Sequence, residues 1–153
     1  MRWFLTTLFL VGSLLMANAS DALTGNIVKV LPLFLNLKGQ DAISPSLYDR
    51  DAYQVYLRAH TNEISAIRFD VLWSTSRTDD TNLTLRLELR GIGQNGVPRQ
   101  TKFEQTVTPH YFRHWTSLPL AGDDYNNFGE VVAWRATLWS GPQLLSEQKS
   151  FLW

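Results

Sequence analysis

The sequence predicts a mainly β protein, an antiparallel β-sandwich of about seven or eight strands with one short helix and a helical turn. Three observations carry that prediction. Runs of alternating apolar and polar residues recur along the chain, and in a strand such alternation places every second side chain on one face. Polar segments rich in Gly, Asn, Asp and Pro separate these runs. The chain of 153 residues contains no cysteine, and it is long enough to bury a core without covalent staples.

Residues 1–19 read as a secretory signal peptide. Arg2 supplies a positive charge, residues 3–16 are uncharged and mostly apolar, and Ala17-Asn18-Ala19 offers small residues to a signal peptidase. The apolar run is shorter than the roughly 20 residues that span a bilayer, so no membrane span is expected once the signal is removed. Residues 20–153 are then one domain. Without Arg2 it carries 13 basic and 14 acidic residues. Near neutrality gives no bulk attraction to nucleic acid. An exported domain without disulfides points to a bacterial periplasm or beyond.

Each element has its own signal. Residues 26–37 are apolar on both parities, which suits a strand covered on both sides, and Pro32 belongs at an edge or a bulge. Residues 46–59 fit a helix with Ser46 as N-cap and Asp49 in capping-box position, carrying a stripe of Tyr48, Ala52, Val55, Tyr56 and Ala59. Ile67, Phe69, Val71 and Trp73 share one face of the next strand, with Arg68 and Asp70 on the other. Leu83, Leu85, Leu87 and Leu89 form an all-leucine face after a polar loop. Residues 91–98 form a loop, and Phe103, Gln105 and Val107 alternate with Lys102, Glu104 and Thr106 in another strand. Residues 109–120 are extended, with Phe112, Thr116, Leu118 and Leu120 on one parity, and residues 121–129 form a helical turn stopped by Gly129.

A hairpin about residues 140–143 ends the chain, with Val132, Trp134, Ala136 and Leu138 directed inward. Regular pairing of Trp139 with Leu144 sets Val132 beside Phe151. It also sets Ala136 against Glu147 and Trp134 against Lys149, which predicts an edge strand whose charges reach solvent rather than a bulge.

This succession of strands and turns resembles immunoglobulin-like and fibronectin type III-like exported β-sandwiches over most of residues 20–153. The resemblance lies in the strand pattern. The Cys…Trp…Cys spacing and the tyrosine corner of immunoglobulin domains are absent, so it implies a two-sheet fold and transfers no functional residue.

Four groups of residues bear on chemistry. His110 and His114 have metal-binding spacing only on a helix; in a strand they stand roughly 13 Å apart, at 3.3 Å per residue. Asp123, Asp124, Asn126 and Asn127 carry the oxygen ligands calcium prefers but lack EF-hand spacing; Asp123 or Asp124 as a helix N-cap fits better. Asp79, Asp80 and Asn82 read as solvated turn residues. The densest aromatic and cationic cluster is residues 111–115, in which Tyr111, Arg113 and Trp115 form the face that offers itself to a ligand.

No nucleophile elbow, catalytic cysteine or phosphate loop occurs, and no cofactor is expected. The expected function is an exported, non-catalytic binding or interaction module whose partner is a glycan or a protein. Its first rival is a glycan hydrolase using two of Asp70, Glu88, Glu104, Glu130 and Glu147. A small outer-membrane β-barrel is the second.

Overall fold

A computed structural model describes residues 22–78, 81–93 and 95–153; the segment 1–19 read as a signal peptide and the Asp79-Asp80 pair lie outside them. Among the described residues seven strands form two antiparallel sheets that face each other and do not close into a barrel, as the sandwich expectation requires and its barrel rival does not. Strands β1 (Gly25–Asn36), β2 (Ile64–Thr75) and β5 (His114–Ala121) make a three-stranded sheet in the order β1-β2-β5. Strands β3 (Leu83–Ile92), β4 (Pro98–Val107), β6 (Glu130–Ser140) and β7 (Gln143–Lys149) make the second, in the order β4-β3-β6-β7.

The core is the layer between them. Phe69, Val71 and Trp73 of β2 meet Leu83, Leu85, Leu87 and Leu89 of β3, all fully buried. These are the rows that alternation assigns to one face. Burying a large apolar side chain stabilises by about 1.5–3 kcal/mol, so these residues dominate the driving force. The Trp73 indole N–H keeps a partner there by donating to Thr116 Oγ1 at 2.9 Å.

The double apolar parity of β1 is also explained. Leu33 and Leu35 are buried on the face away from the second sheet, where helix α1 (Leu47–Ala59) packs and Leu57 is wholly buried. Ser46 caps α1, accepting from Asp49 N–H at 3.4 Å. The capping box is indirect: Asp49 Oδ2 accepts from the Ser44 hydroxyl at 2.6 Å, and Ser44 Oγ accepts from Ser46 N–H at 3.2 Å.

The predicted stripe of α1 does not face inward. Tyr48 is 82% exposed, and Ala52, Val55, Tyr56 and Ala59 are exposed as well. Gln54, only 4% exposed, and Leu57 face the sheet instead. The reason is polar: Gln54 Oε1 accepts from Phe34 N–H at 2.8 Å, and its Nε2 donates to the carbonyls of Phe34 and Asp41, each at 2.9 Å. Three hydrogen bonds to backbone outweigh the helix's own apolar periodicity. Tyr56 instead stacks on Tyr53 and His60 at the surface.

Two bulges correct the closing hairpin. Arg90 pairs with Ala133 but Gly91 with Val131, which leaves Val132 unpaired. Val131 packs on the core and Val132 turns outward, 38% exposed. On β7, Trp139 pairs with Leu144 and Leu138 with Ser146, so Leu145 is the extra residue. Glu147 and Lys149 thereby fall opposite Thr137 and Arg135, away from the leucine layer. β7 is the edge strand expected, and it is bulged too. It ends at Lys149, and Phe151 is fully exposed instead of packing beside Val132.

Helix α2 (Gly122–Phe128) is the predicted helical turn, and Gly129 closes it with a positive φ of 84°. Its N-cap is Ala121, without a side-chain bond. Asp123 and Asp124 occupy the first turn, where the helix dipole favours them, so neither is the cap.

Candidate ligand-binding cleft

A concavity of about 840 Å³ lies at the end of the sandwich that carries both helices. It exists because the strands differ in reach. β7 ends opposite Arg135, whereas β6 continues to Glu130 and β1 runs on to Asn36. Past Lys149, Ser150 bonds to Trp134, and the tail lays Trp153 against the guanidinium groups of Arg90 and Arg135, 4.0 and 4.9 Å from the ring centroid. The lower parts of β1 and β6 are left facing each other across open space.

Apolar residues from three elements, Phe34, Ile64, Ile67 and Val131, form the floor. Polar residues complete the lining: Arg58 at the end of α1, Thr61 and Asn62 of the 3-10 turn Thr61–Glu63, Tyr125 and Asn126 of α2, and Glu130. The Arg58 guanidinium lies 5.9 Å from the Phe34 ring centroid. Among the described residues neither Arg58 nor Glu130 joins an ion pair, whereas Asp70, Glu88, Glu104 and Glu147 all do. Burial raises the Tyr125 phenol above its usual pKa, so it stays a neutral hydroxyl able to donate or accept. The wall is fixed by glycine: a Cβ on Gly129 would strike the Ile92 carbonyl, and one on Gly91 would strike the Phe128 ring.

The candidates from the sequence lie elsewhere. Tyr111, Arg113 and Trp115 are exposed at the opposite end, the first two on the loop that leads into β5 and Trp115 in the strand itself. Phe112, predicted inward, is 81% exposed and packs edge-on against Tyr111. Residues 111–112 form a bend, and β5 starts only at His114. That bend also corrects the histidine spacing. The rings of His110 and His114 stack 4.2 Å apart, each steeply inclined to the Trp73 ring, at 65° and 82°. Parallel stacked rings do not converge on one ion. Among the described residues no group of three His, Cys, Asp or Glu is arranged to hold a metal. Asp123, Asp124 and Asn126 therefore gain no support as a calcium site, and Asn126 instead lines the cleft.

The candidate carboxylates do not come together as a free pair. Glu88 and Glu147 are bridged by Arg135, Glu104 lies against Arg86 and Lys102, and Asp70 is held by Arg68. Sequence reasoning missed Arg58, Asn62 and Tyr125, which are far apart in the chain and belong to no motif. Only the topology assembles them. No family model matches the chain, and no curated protein or solved structure matches it.

Proposed function

We propose that the chain is an exported, non-catalytic binding module of fibronectin type III-like organisation, and that an oligosaccharide segment occupies the cleft at its helical end. One observation carries the reading: apolar and aromatic side chains share the cleft lining with a guanidinium and a carboxylate that join no ion pair among the described residues, and with several neutral hydrogen-bonding groups. Sugars offer this combination, apolar ring faces flanked by hydroxyls, and aromatic side chains with amide and hydroxyl partners recognise both. The strand orders β1-β2-β5 and β4-β3-β6-β7 support the sandwich class, and the composition of residues 1–19 supports export. Hydrolysis is disfavoured because glycosidases need two carboxylates flanking the bond, and among the described residues Glu130 is the one carboxylate that lines the cleft.

The test is a glycan array followed by calorimetric titration of the best ligand. Arg58→Ala and Tyr125→Phe should each weaken binding at least about tenfold, the scale of one lost hydrogen bond to a charged or buried group. Turnover of any glycan, abolished by Glu130→Gln, would overturn the non-catalytic reading. The exposed aromatics Tyr111, Phe112 and Trp115 favour a second reading, a protein partner at the opposite end. Binding lost on Trp115→Ser but kept on Arg58→Ala would select it.

A further inference from the structure

Two open sheets have four edges, and three of them are blunted. On β1, Gln54 occupies both backbone groups of Phe34, Pro32 has no N–H, Ile27 N–H donates to Ser146 Oγ at 2.9 Å, and Asn36 N–H donates to the Gln40 carbonyl at 2.9 Å. β7 is short and bulged at Leu145. β5 carries Pro119 within its eight residues. These are the usual devices against edge pairing.

β4 is different. It pairs with β3 in unbroken register from Pro98↔Ile92 to Val107↔Leu83. Gly93 N–H donates to the Val97 carbonyl at 2.9 Å, which fixes the phase of the antiparallel ladder. Arg99, Thr101, Phe103, Gln105 and Val107 turn their backbone groups toward β3. Gln100, Lys102, Glu104 and Thr106 turn theirs outward, and those groups have no partner among the described residues.

We propose that β4 is a homodimerisation edge, on which a second copy of this chain lays its own β4 antiparallel about a two-fold axis at Phe103. Charge selects both the occupant and the register. With Phe103 facing Phe103 of the second copy, each Lys102 lies directly opposite a Glu104, and each Gln100 opposite a Thr106. The neighbouring registers allowed by the same phase place Lys102 opposite Lys102 or Glu104 opposite Glu104, which like-charge repulsion disfavours. Lys102 and Glu104 are already close within one strand, 3.4 Å from Nζ to Oε1, so pairing across the axis extends a charge network that exists in the monomer. The two Phe103 rings, half-buried in one copy, meet at a pair without ladder hydrogen bonds, where opposed side chains are closest. The product is a continuous eight-stranded sheet with both three-stranded sheets on the same side.

Sedimentation of the full protein over a concentration series is the test. The unaltered protein should show a monomer–dimer equilibrium that weakens with added salt. Lys102→Glu and Glu104→Lys should each raise the dissociation constant at least about tenfold, because each replaces two attractive cross-axis pairs with two repulsive ones. The double exchange, Lys102→Glu with Glu104→Lys, should restore dimerisation. Because the chain has no native cysteine, Phe103→Cys should oxidise to a covalent dimer while Lys102→Cys should not; circular dichroism verifies that each variant is folded. A protein that stays monomeric up to millimolar concentration, or a dimer indifferent to the single exchanges, would overturn the proposal.

Discussion

The side-chain amide of Gln54 is paired with both backbone groups of Phe34, accepting from its N–H and donating to its carbonyl, as a neighbouring strand would. One helical side chain thus ends the lateral growth of a sheet. Gln54→Leu keeps the size and removes the pairing, and should destabilise the fold by about 1–3 kcal/mol, the penalty for leaving buried backbone groups unsatisfied; chemical denaturation measures it. Gln54→Glu adds a pH signature. A carboxylate facing the carbonyls of Phe34 and Asp41 is disfavoured, so its pKa in the fold is raised. The variant should regain stability as pH falls and lose it as pH rises through that raised value.

Gly129 and Gly96 both have positive φ, 84° and 71°, but only Gly129 is crowded. Gly96→Ala should cost about 1–2 kcal/mol, the strain of a left-handed L-residue. Gly129→Ala should exceed it by a further 1–3 kcal/mol or so, because the new methyl meets the Ile92 carbonyl. Thermal unfolding of the two variants separates strain from collision. Equal losses would mean that the corner between α2 and β6 yields easily.

Gln148 sits opposite Ala136, and its Oε1 is a buried oxygen without a partner among the described residues. Gln148→Met keeps the volume and removes the unsatisfied acceptor. Stability should rise by about 0.5–1.5 kcal/mol, which the denaturation midpoint will show. A loss of stability would mean that the amide makes a bond the fold depends on.

Glu104 is held below the usual carboxylate range, first by Lys102 and then by Arg86. A depressed carboxylate contributes stability above its unfolded pKa and loses it as pH falls through the folded value. Melting curves of the unaltered protein and Glu104→Gln, recorded at low protein concentration, should therefore differ slightly at neutral pH and converge in acid. The group is exposed, so the difference should be small and should fade with salt.

Strand content was legible wherever a single side faces the core. The rows Leu83 to Leu89 and Ile67 to Trp73 are buried as alternation requires, and Ser46 begins its helix where the cap signal lies. Reading failed where period and packing part company. The stripe of α1 is apolar yet outward because Gln54 bonds to backbone that only the folded chain brings near. Val132 and Leu145 carry bulges, and a bulge leaves no mark in a strand's alternation beyond a parity that fails halfway. The cleft was illegible for a different reason. Arg58, Tyr125 and Glu130 meet only because β7 stops short of the ends of β1 and β6, which is a fact about relative strand lengths.

The extra residue at Leu145 has a consequence for chain length. Without it, Trp139 would still pair with Leu144 and Leu138 with Ser146, so a one-residue deletion there would leave every partner in the ladder unchanged. What disappears is half of a seam. Leu145 packs against Gly25, and the adjacent Ser146 holds the Ile27 N–H, so two successive residues of one strand reach across to the other sheet. That side of the sandwich is sewn in part by a residue the hairpin does not need, and a shortened chain would keep its register and the Ser146 bond while giving up the Leu145 packing against β1.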